Sequence, residues 1–209
     1  YVANVGQDMV ESIFSYVTNN PIPVTGMLQS ALMNSKPDTE GLVNFGWRGW
    51  EGEFPTLIME DCSNHSSLDK KTFAYFNEAV ALSGSRLRPL ISYFHEDPRV
   101  EKFQGNSLTG LQVYMGNDIP GLTGSAVFTD FFRSKSEAPN RGALAYTFVR
   151  ADGKQSDFQE IQVNYDFGPK AAYYVSLGTN LDQTRLYLGV HGSMNVTDFN
   201  QGAVYEIIP

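Results

Sequence analysis

The clearest pattern of hydrophobic and polar positions in this chain lies between residues 141 and 209, where apolar side chains repeatedly occupy alternate positions. Alternation with a period of two is typical of a β-strand with one buried and one solvated face. The strictest example runs from Glu160 to Phe167, and its apolar members are Ile161, Val163, Tyr165 and Phe167. We therefore expect a sheet that covers a core in this part of the chain.

Further strands are predicted on both sides of this segment. The dipeptide Asp152-Gly153 favours a tight hairpin turn, and Gly168-Pro169 turns the chain again. The apolar positions that define the flanking strands are Leu144, Tyr146 and Phe148, then Tyr173, Val175 and Leu177, then Leu186, Leu188 and Val190, with a last strand over Ala203 to Ile208.

The first half of the chain carries weaker patterns. Residues 1–20 fit a helix or a strand that ends before Pro21, because both spacings occur there. Asp69 could cap a short helix that runs to Val80, with apolar side chains at Phe73 and Phe76. The remaining predicted strands are Leu42 to Trp50, Glu53 to Glu60, Leu87 to Phe94, Ser107 to Met115 and Ser125 to Phe132.

Together these elements predict the fold class. Short strands separated by turn residues, without regularly alternating helices, favour a mainly β, antiparallel sandwich or barrel-like domain with one or two short helices. A chain of 209 residues is long enough to bury a sizeable core. Because no repeat or linker divides the sequence, we expect residues 1–209 to form a single β-rich domain.

Composition and charge narrow the range of partners. Charged residues make up only 18% of the chain and the net charge is -8, so a phosphate backbone is a disfavoured partner and we predict no nucleic-acid binding. No apolar run approaches the roughly 20 residues that span a bilayer, which predicts no membrane insertion. The polar but weakly charged composition is typical of surfaces that meet water and glycans, and equally of an ordinary neutral surface.

The first residue and the single cysteine bear on localisation. The chain begins at Tyr1 rather than Met, which favours a segment excised from a longer protein. Cys62 cannot form an internal disulfide, and this fits a reducing compartment, a virion protein or a bacterial surface domain. We expect an extracellular or virion surface location, and a homodimer is a secondary prediction.

Two sets of aromatic residues are candidates for ligand binding. Trp47, Arg48, Trp50 and Glu51 lie in one glycine-punctuated segment, where rings beside charged groups could stack on a sugar or a flat receptor surface. The alternative is that at least one of these tryptophans is a core residue. In the strand-rich region, Tyr146 and Tyr165 are in phase with the apolar face and are predicted to be core residues. Tyr174 and Tyr187 are out of phase and are predicted to be displayed.

Catalytic and metal-binding patterns are weak. The sequence contains no nucleophile elbow, phosphate-binding loop, dinucleotide fingerprint or metal-ligand spacing, so we predict no cofactor and no metal. The segment His95-Glu96-Asp97 could supply general acid and base groups, and Asp118, Asp130 or Asp166 could complete a carboxylate pair for glycoside hydrolysis. The function we expect is a non-enzymatic recognition or attachment domain for a glycan or protein receptor; the alternative is a β-sandwich glycoside hydrolase or lyase.

Overall fold

The structure is a computed structural model that describes residues 1–7, 9–15, 45–46, 49–56, 88–96, 102–133, 139–148, 157–195 and 197–209. Within these residues the chain forms twelve strands and no helix. The strands are β1 (Val2–Asn4), β2 (Val10–Phe14), β3 (Trp50–Glu51), β4 (Phe54–Pro55), β5 (Ile91–Phe94), β6 (Leu108–Tyr114), β7 (Ser125–Asp130), β8 (Ala143–Thr147), β9 (Phe158–Ile161), β10 (Tyr173–Thr179), β11 (Leu186–His191) and β12 (Gly202–Ile207).

The strands form four sheets, and every ladder in them is antiparallel. A central four-stranded sheet has the order β6-β7-β8-β9, and two three-stranded sheets have the orders β1-β2-β5 and β10-β11-β12. The pair β3-β4 forms a small fourth sheet. None of these sheets closes on itself within the described residues. The predicted mainly β, sandwich-like fold is therefore confirmed, and the barrel-like variant is not the form adopted there.

The central sheet buries both of its faces. All six residues of β7 are buried, as expected for a strand that is covered on two sides. On one face Val127 and Leu144 pack with Leu177, Leu186 and Leu188 of the β10-β11-β12 sheet, in a group that we call the first core. On the opposite face, successive side chains point the other way, and the second core forms there. Its buried members are Ile13, Leu90, Ile91, Tyr93, Leu108, Phe128 and Ala145.

The segment with the strictest alternation departs from its prediction. The strand β9 ends at Ile161, although Val163 and Phe167 still pack against the first core. Ile161 pairs with Leu144, one residue from the start of β8 at Ala143, so the chain beyond Ile161 soon runs past the end of its partner strand. The expectation that Tyr165 belongs to the core is wrong, since its side chain is 54% exposed.

In the first half of the chain, the two alternatives for residues 1–20 resolve in favour of strands over the described part, namely β1 and β2. Around the tryptophans, the described residues 45–46 and 49–56 contain the two-residue strands β3 and β4. The predicted helix from Asp69 to Val80 and the Asp152-Gly153 turn lie outside the described residues. The strands that flank this turn, β8 and β9, do pair antiparallel.

Candidate functional site

Three aromatic side chains form a continuous surface beside the β10-β11-β12 sheet, and we call Tyr165, Phe167 and Tyr205 the aromatic platform. The ring centroids of Tyr165 lie 4.9 Å from those of Phe167 and 5.0 Å from those of Tyr205, and Phe167 lies 5.5 Å from Tyr205. All three pairs are tilted or edge-to-face, which is the arrangement that the ring quadrupole favours. Tyr205 comes from β12, whereas the other two follow β9.

The platform rests on a turn that Arg141 holds in place. The guanidinium of Arg141 lies 5.7 Å from the centroid of Phe167. It donates hydrogen bonds to the carbonyl oxygens of Gly168, at 2.8 Å, and of Lys170. Gly168 has a φ of 71°, which a residue with a side chain adopts only at a cost. Its N–H donates to the Asp166 carboxylate at 2.7 Å. These contacts fix the backbone on which Phe167 is carried.

The platform combines apolar ring area with uncharged polar groups. Tyr165 is 54% exposed, and Phe167 and Tyr205 are half-buried. Local desolvation and the neighbouring Tyr165 hydroxyl raise the pKa of Tyr205 above its ordinary value, so this phenol is protonated at neutral pH. Rings of this kind offer faces for stacking and hydroxyls for hydrogen bonding. The arrangement is suited to contact with a flat ligand surface that also carries polar groups.

The tryptophan segment is described only in part. Trp47 and Arg48 lie outside the described residues, and Trp50 is half-buried in β3. Glu51 is 2% exposed, and its carboxylate accepts hydrogen bonds from the N–H groups of Gln7 and Met9, both at 2.8 Å, and of Val10, at 3.2 Å. Glu51 therefore anchors the chain just before β2. A ligand-binding role for this segment stays a prediction.

The two tyrosines that we expected to be displayed differ from each other. Tyr174 is 3% exposed and belongs to the first core, so the expectation that it is displayed is wrong. The cause is a register shift in β10 between Tyr174 and Ser176, which puts Tyr174 and Leu177 on the buried face and leaves Val175 40% exposed. Burial raises the pKa of Tyr174 to about 12. Tyr187 is half-buried, opposite Glu206 of β12, and its proposed role in binding stays a prediction.

The acids considered for hydrolysis differ in their exposure, and Asp97 lies outside the described residues. Asp118 and Asp166 are exposed, whereas Asp130 is fully buried and accepts hydrogen bonds from the backbone N–H groups of Asn106, Ser107 and Phe132. His95 contacts a different acid, Glu11. Among the described residues no group of three or more His, Cys, Asp or Glu side chains is positioned to hold a metal ion.

No protein-family model matches the chain, and no solved structure matches it. In the described ranges, no helix has the length and apolar character needed to cross a membrane. The class that the structure defines is thus an all-β, sandwich-like domain over those ranges, and any function must be argued from its surface chemistry.

Proposed function

We propose that this chain is a non-enzymatic recognition or attachment domain that binds a glycan or a protein receptor, as part of an extracellular or virion surface protein such as a capsid spike. The observation that carries the proposal is the aromatic platform, in which Tyr165 displays more than half of its side chain while touching two further rings. Exposed aromatic groups that are already in contact offer a large binding area.

The support beneath the platform favours binding energetically. Association has a cost for every side chain and loop that must be ordered, so a surface that is ordered before binding keeps more of its interaction energy. Arg141 bridges the carbonyl groups of the turn at 168–170 and lies over Phe167, which supplies this order in advance. Tyrosine itself has few rotatable bonds for its contact area.

The alternative function, a hydrolase or lyase with paired carboxylates, requires two carboxyl groups that a substrate can reach. The described acid with the most perturbed pKa is Asp130, and it has no exposed area and several backbone partners. Structural networks also perturb pKa values. We therefore place recognition before catalysis.

The proposal is tested by a glycan-array screen, together with binding of the labelled domain to cells treated with glycosidase or with protease. Loss of binding after one treatment identifies the class of receptor. The Tyr165→Ala and Tyr205→Ala variants should each weaken binding by about thirtyfold, the effect of removing an interface hot spot. Phe199→Ala is the matched control, because Phe199 is an 80% exposed aromatic residue outside the platform.

Each outcome bears on a separate claim. Binding that survives both tyrosine substitutions would move the site away from the platform, first to Trp47 and Trp50, where a Trp47→Ala, Trp50→Ala double variant is the next test. Absence of binding to the array and to all cells tested would contradict the recognition role. The secondary prediction of a homodimer is checked by sedimentation velocity, in which a purely monomeric species would refute it.

A further inference from the structure

The strand β12 forms one edge of the β10-β11-β12 sheet, and its outer side carries backbone groups that are free to bind another strand. The N–H of Gly192 donates to the carbonyl oxygen of Gln201 at 2.9 Å, and the ladder between β11 and β12 continues in this register without a shift. Hydrogen-bonded and non-hydrogen-bonded pairs alternate along an antiparallel ladder. The backbone N–H and C=O groups of Gly202, Val204 and Glu206 therefore point away from β11. Within the part of the chain that the structure describes, these groups have no hydrogen-bond partner.

The opposite edge of the same sheet, at β10, is already occupied. The Thr109 hydroxyl donates to the carbonyl oxygen of Tyr174 at 2.6 Å, and Nε2 of Gln112 donates to that of Leu177 at 3.1 Å. The N–H of Tyr174 donates to the carbonyl oxygen of Phe131 at 3.1 Å, and β10 also contains a register shift. Covering elements and bulges protect an edge from further pairing. Over the described ranges, β12 is thus the edge of this sheet that another strand can extend.

The side chains of β12 do not protect its edge. Lys, Pro and bulges are common protective features, but residues Gly202–Ile207 contain no Lys or Pro and pair with β11 without a bulge. Val204 is 74% exposed, and Ile208, which follows the strand, is 73% exposed. The only charged residue of β12 is Glu206, and Arg185 lies 3.3 Å from it. The edge therefore combines unpaired backbone groups with exposed apolar side chains and a locally balanced charge.

We propose that β12 pairs antiparallel with β12 of a second copy of this chain, so that two three-stranded sheets join into one sheet of six strands. A two-fold axis brings identical strands together antiparallel, and the N–H groups of each copy then meet the C=O groups of the other. Because β10 is covered, pairing stops at two copies and does not continue into a fibre.

Charge restricts the register of this pairing. Like charges directly opposite each other destabilise a strand pair, so the register that places Glu206 opposite Glu206 is disfavoured. Two registers bring the edge-facing residues together without this repulsion: Val204 lies opposite Val204 in one and opposite Glu206 in the other. The proposal gives a surface to the predicted homodimer, and it holds or fails independently of receptor binding.

The first test is sedimentation velocity over a roughly hundredfold range of protein concentration, since mass action governs association. The unmodified chain should form a species of twice the monomer mass that grows with concentration. Val204→Pro removes an N–H that faces the free edge and none that bonds β11. It should raise the Kd of the dimer about thirtyfold, because two hydrogen bonds are lost in a symmetric pair. Val204→Thr keeps this N–H and the branched shape, so this control should change the Kd by no more than about twofold.

Amide hydrogen exchange of the unmodified chain, measured by NMR, keeps the proposal testable if Val204→Pro does not fold. The N–H groups of Ala203 and Tyr205 point toward β11 and should be protected at every concentration. Those of Val204 and Glu206 should gain protection only as the dimer forms. This alternation along one strand is specific to pairing at the outer edge.

Several results would overturn the proposal. One is a chain that stays monomeric over the whole concentration range. Another is a dimer that folded Val204→Pro leaves unchanged, or that Val204→Thr weakens equally, since backbone pairing would then not hold it together. A third is exchange of the Val204 and Glu206 amides that does not depend on concentration. Receptor binding is measured separately on the glycan array and on cells, so its failure is distinguishable from a failure to dimerise.

Discussion

The two faces of the central sheet are packed by different means, although one strand, β7, serves both. Toward the β10-β11-β12 sheet, apolar side chains such as Val127, Leu177 and Leu188 form the first core, and the hydrogen bonds from Thr109 and Gln112 to the backbone of β10 involve uncharged groups. Toward the β1-β2-β5 sheet, Phe128 contributes apolar contacts while Asp130 and Glu11 bring buried carboxyl groups. Apolar burial is non-directional and insensitive to pH, whereas the hydrogen bonds of a buried carboxylate are directional and depend on its protonation. The first face should therefore supply stability, and the second should add orientation and a dependence on pH.

The largest effect should come from a cavity on the apolar face. Leu188→Ala removes a side chain that is 2% exposed within the first core, and substitutions of this kind cost about 2–5 kcal/mol. Because no titrating group is involved, the difference from the unmodified chain should be the same at acidic and neutral pH. Urea denaturation at both pH values measures this, and a cost that changes strongly with pH would contradict the division between the two faces.

The next effect tests how closely β6 and β10 approach each other. A Cβ on Gly110 would lie 2.6 Å from the backbone nitrogen of Leu177 and 2.6 Å from Oγ1 of Thr129. Gly110→Ala should therefore cost about 1–3 kcal/mol through overpacking. The matched control is Gly178→Ala on β10, where a Cβ would meet nothing within 4 Å. The control should be neutral or slightly stabilising, and equal effects in thermal unfolding would show that the sheets are less tightly apposed.

An effect of comparable size is expected from the Glu51 carboxylate, which anchors the start of β2. Glu51→Gln keeps the size of the side chain but replaces one acceptor oxygen with an NH₂ donor. A donor in the place of Oε2 faces the backbone N–H groups of Met9 and Val10, which the carboxylate oxygen accepts from in the unmodified chain. An unsatisfied buried group costs about 1–3 kcal/mol. Amide hydrogen exchange should locate the loss at residues 9–14, and exchange that is unchanged there would argue against this anchoring role.

The two faces also differ in how much of them could be predicted from sequence. The strands of the β10-β11-β12 sheet were predicted well because Leu186, Leu188 and Val190 alternate in a register that the structure keeps. The same reasoning misassigned Tyr174, since a local pattern contains no sign of the register shift that follows it. Local alternation describes which side chains share a face only while the strand stays regular.

The aromatic platform and the buried contacts of Asp130 were missed for a related reason. Tyr165 looks like a core residue because it is in phase with Ile161, and its exposure depends on where the partner strand β8 ends. Asp130 ends an apolar strand and was considered only as a candidate catalytic carboxylate. Its hydrogen-bond partners Tyr93 and Asn106 lie 37 and 24 positions away in sequence. Contacts of such range leave no periodic signal in the sequence.

The smallest expected effect concerns Glu206, an exposed residue on β12. Glu206 lies 3.3 Å from Arg185, and their side chains are 40% and 56% exposed. Exposed ion pairs contribute about 0–1 kcal/mol and are screened by salt, so Glu206→Gln should change the free energy of unfolding by less than Glu51→Gln does. The two substitutions remove the same charge by the same chemical change. Urea denaturation of both variants in low and high salt separates the effect of burial from the effect of charge. The change in unfolding free energy caused by Glu206→Gln should shrink with added salt, whereas the change caused by Glu51→Gln should persist. Equal changes for the two variants would mean that burial does not set the strength of these contacts.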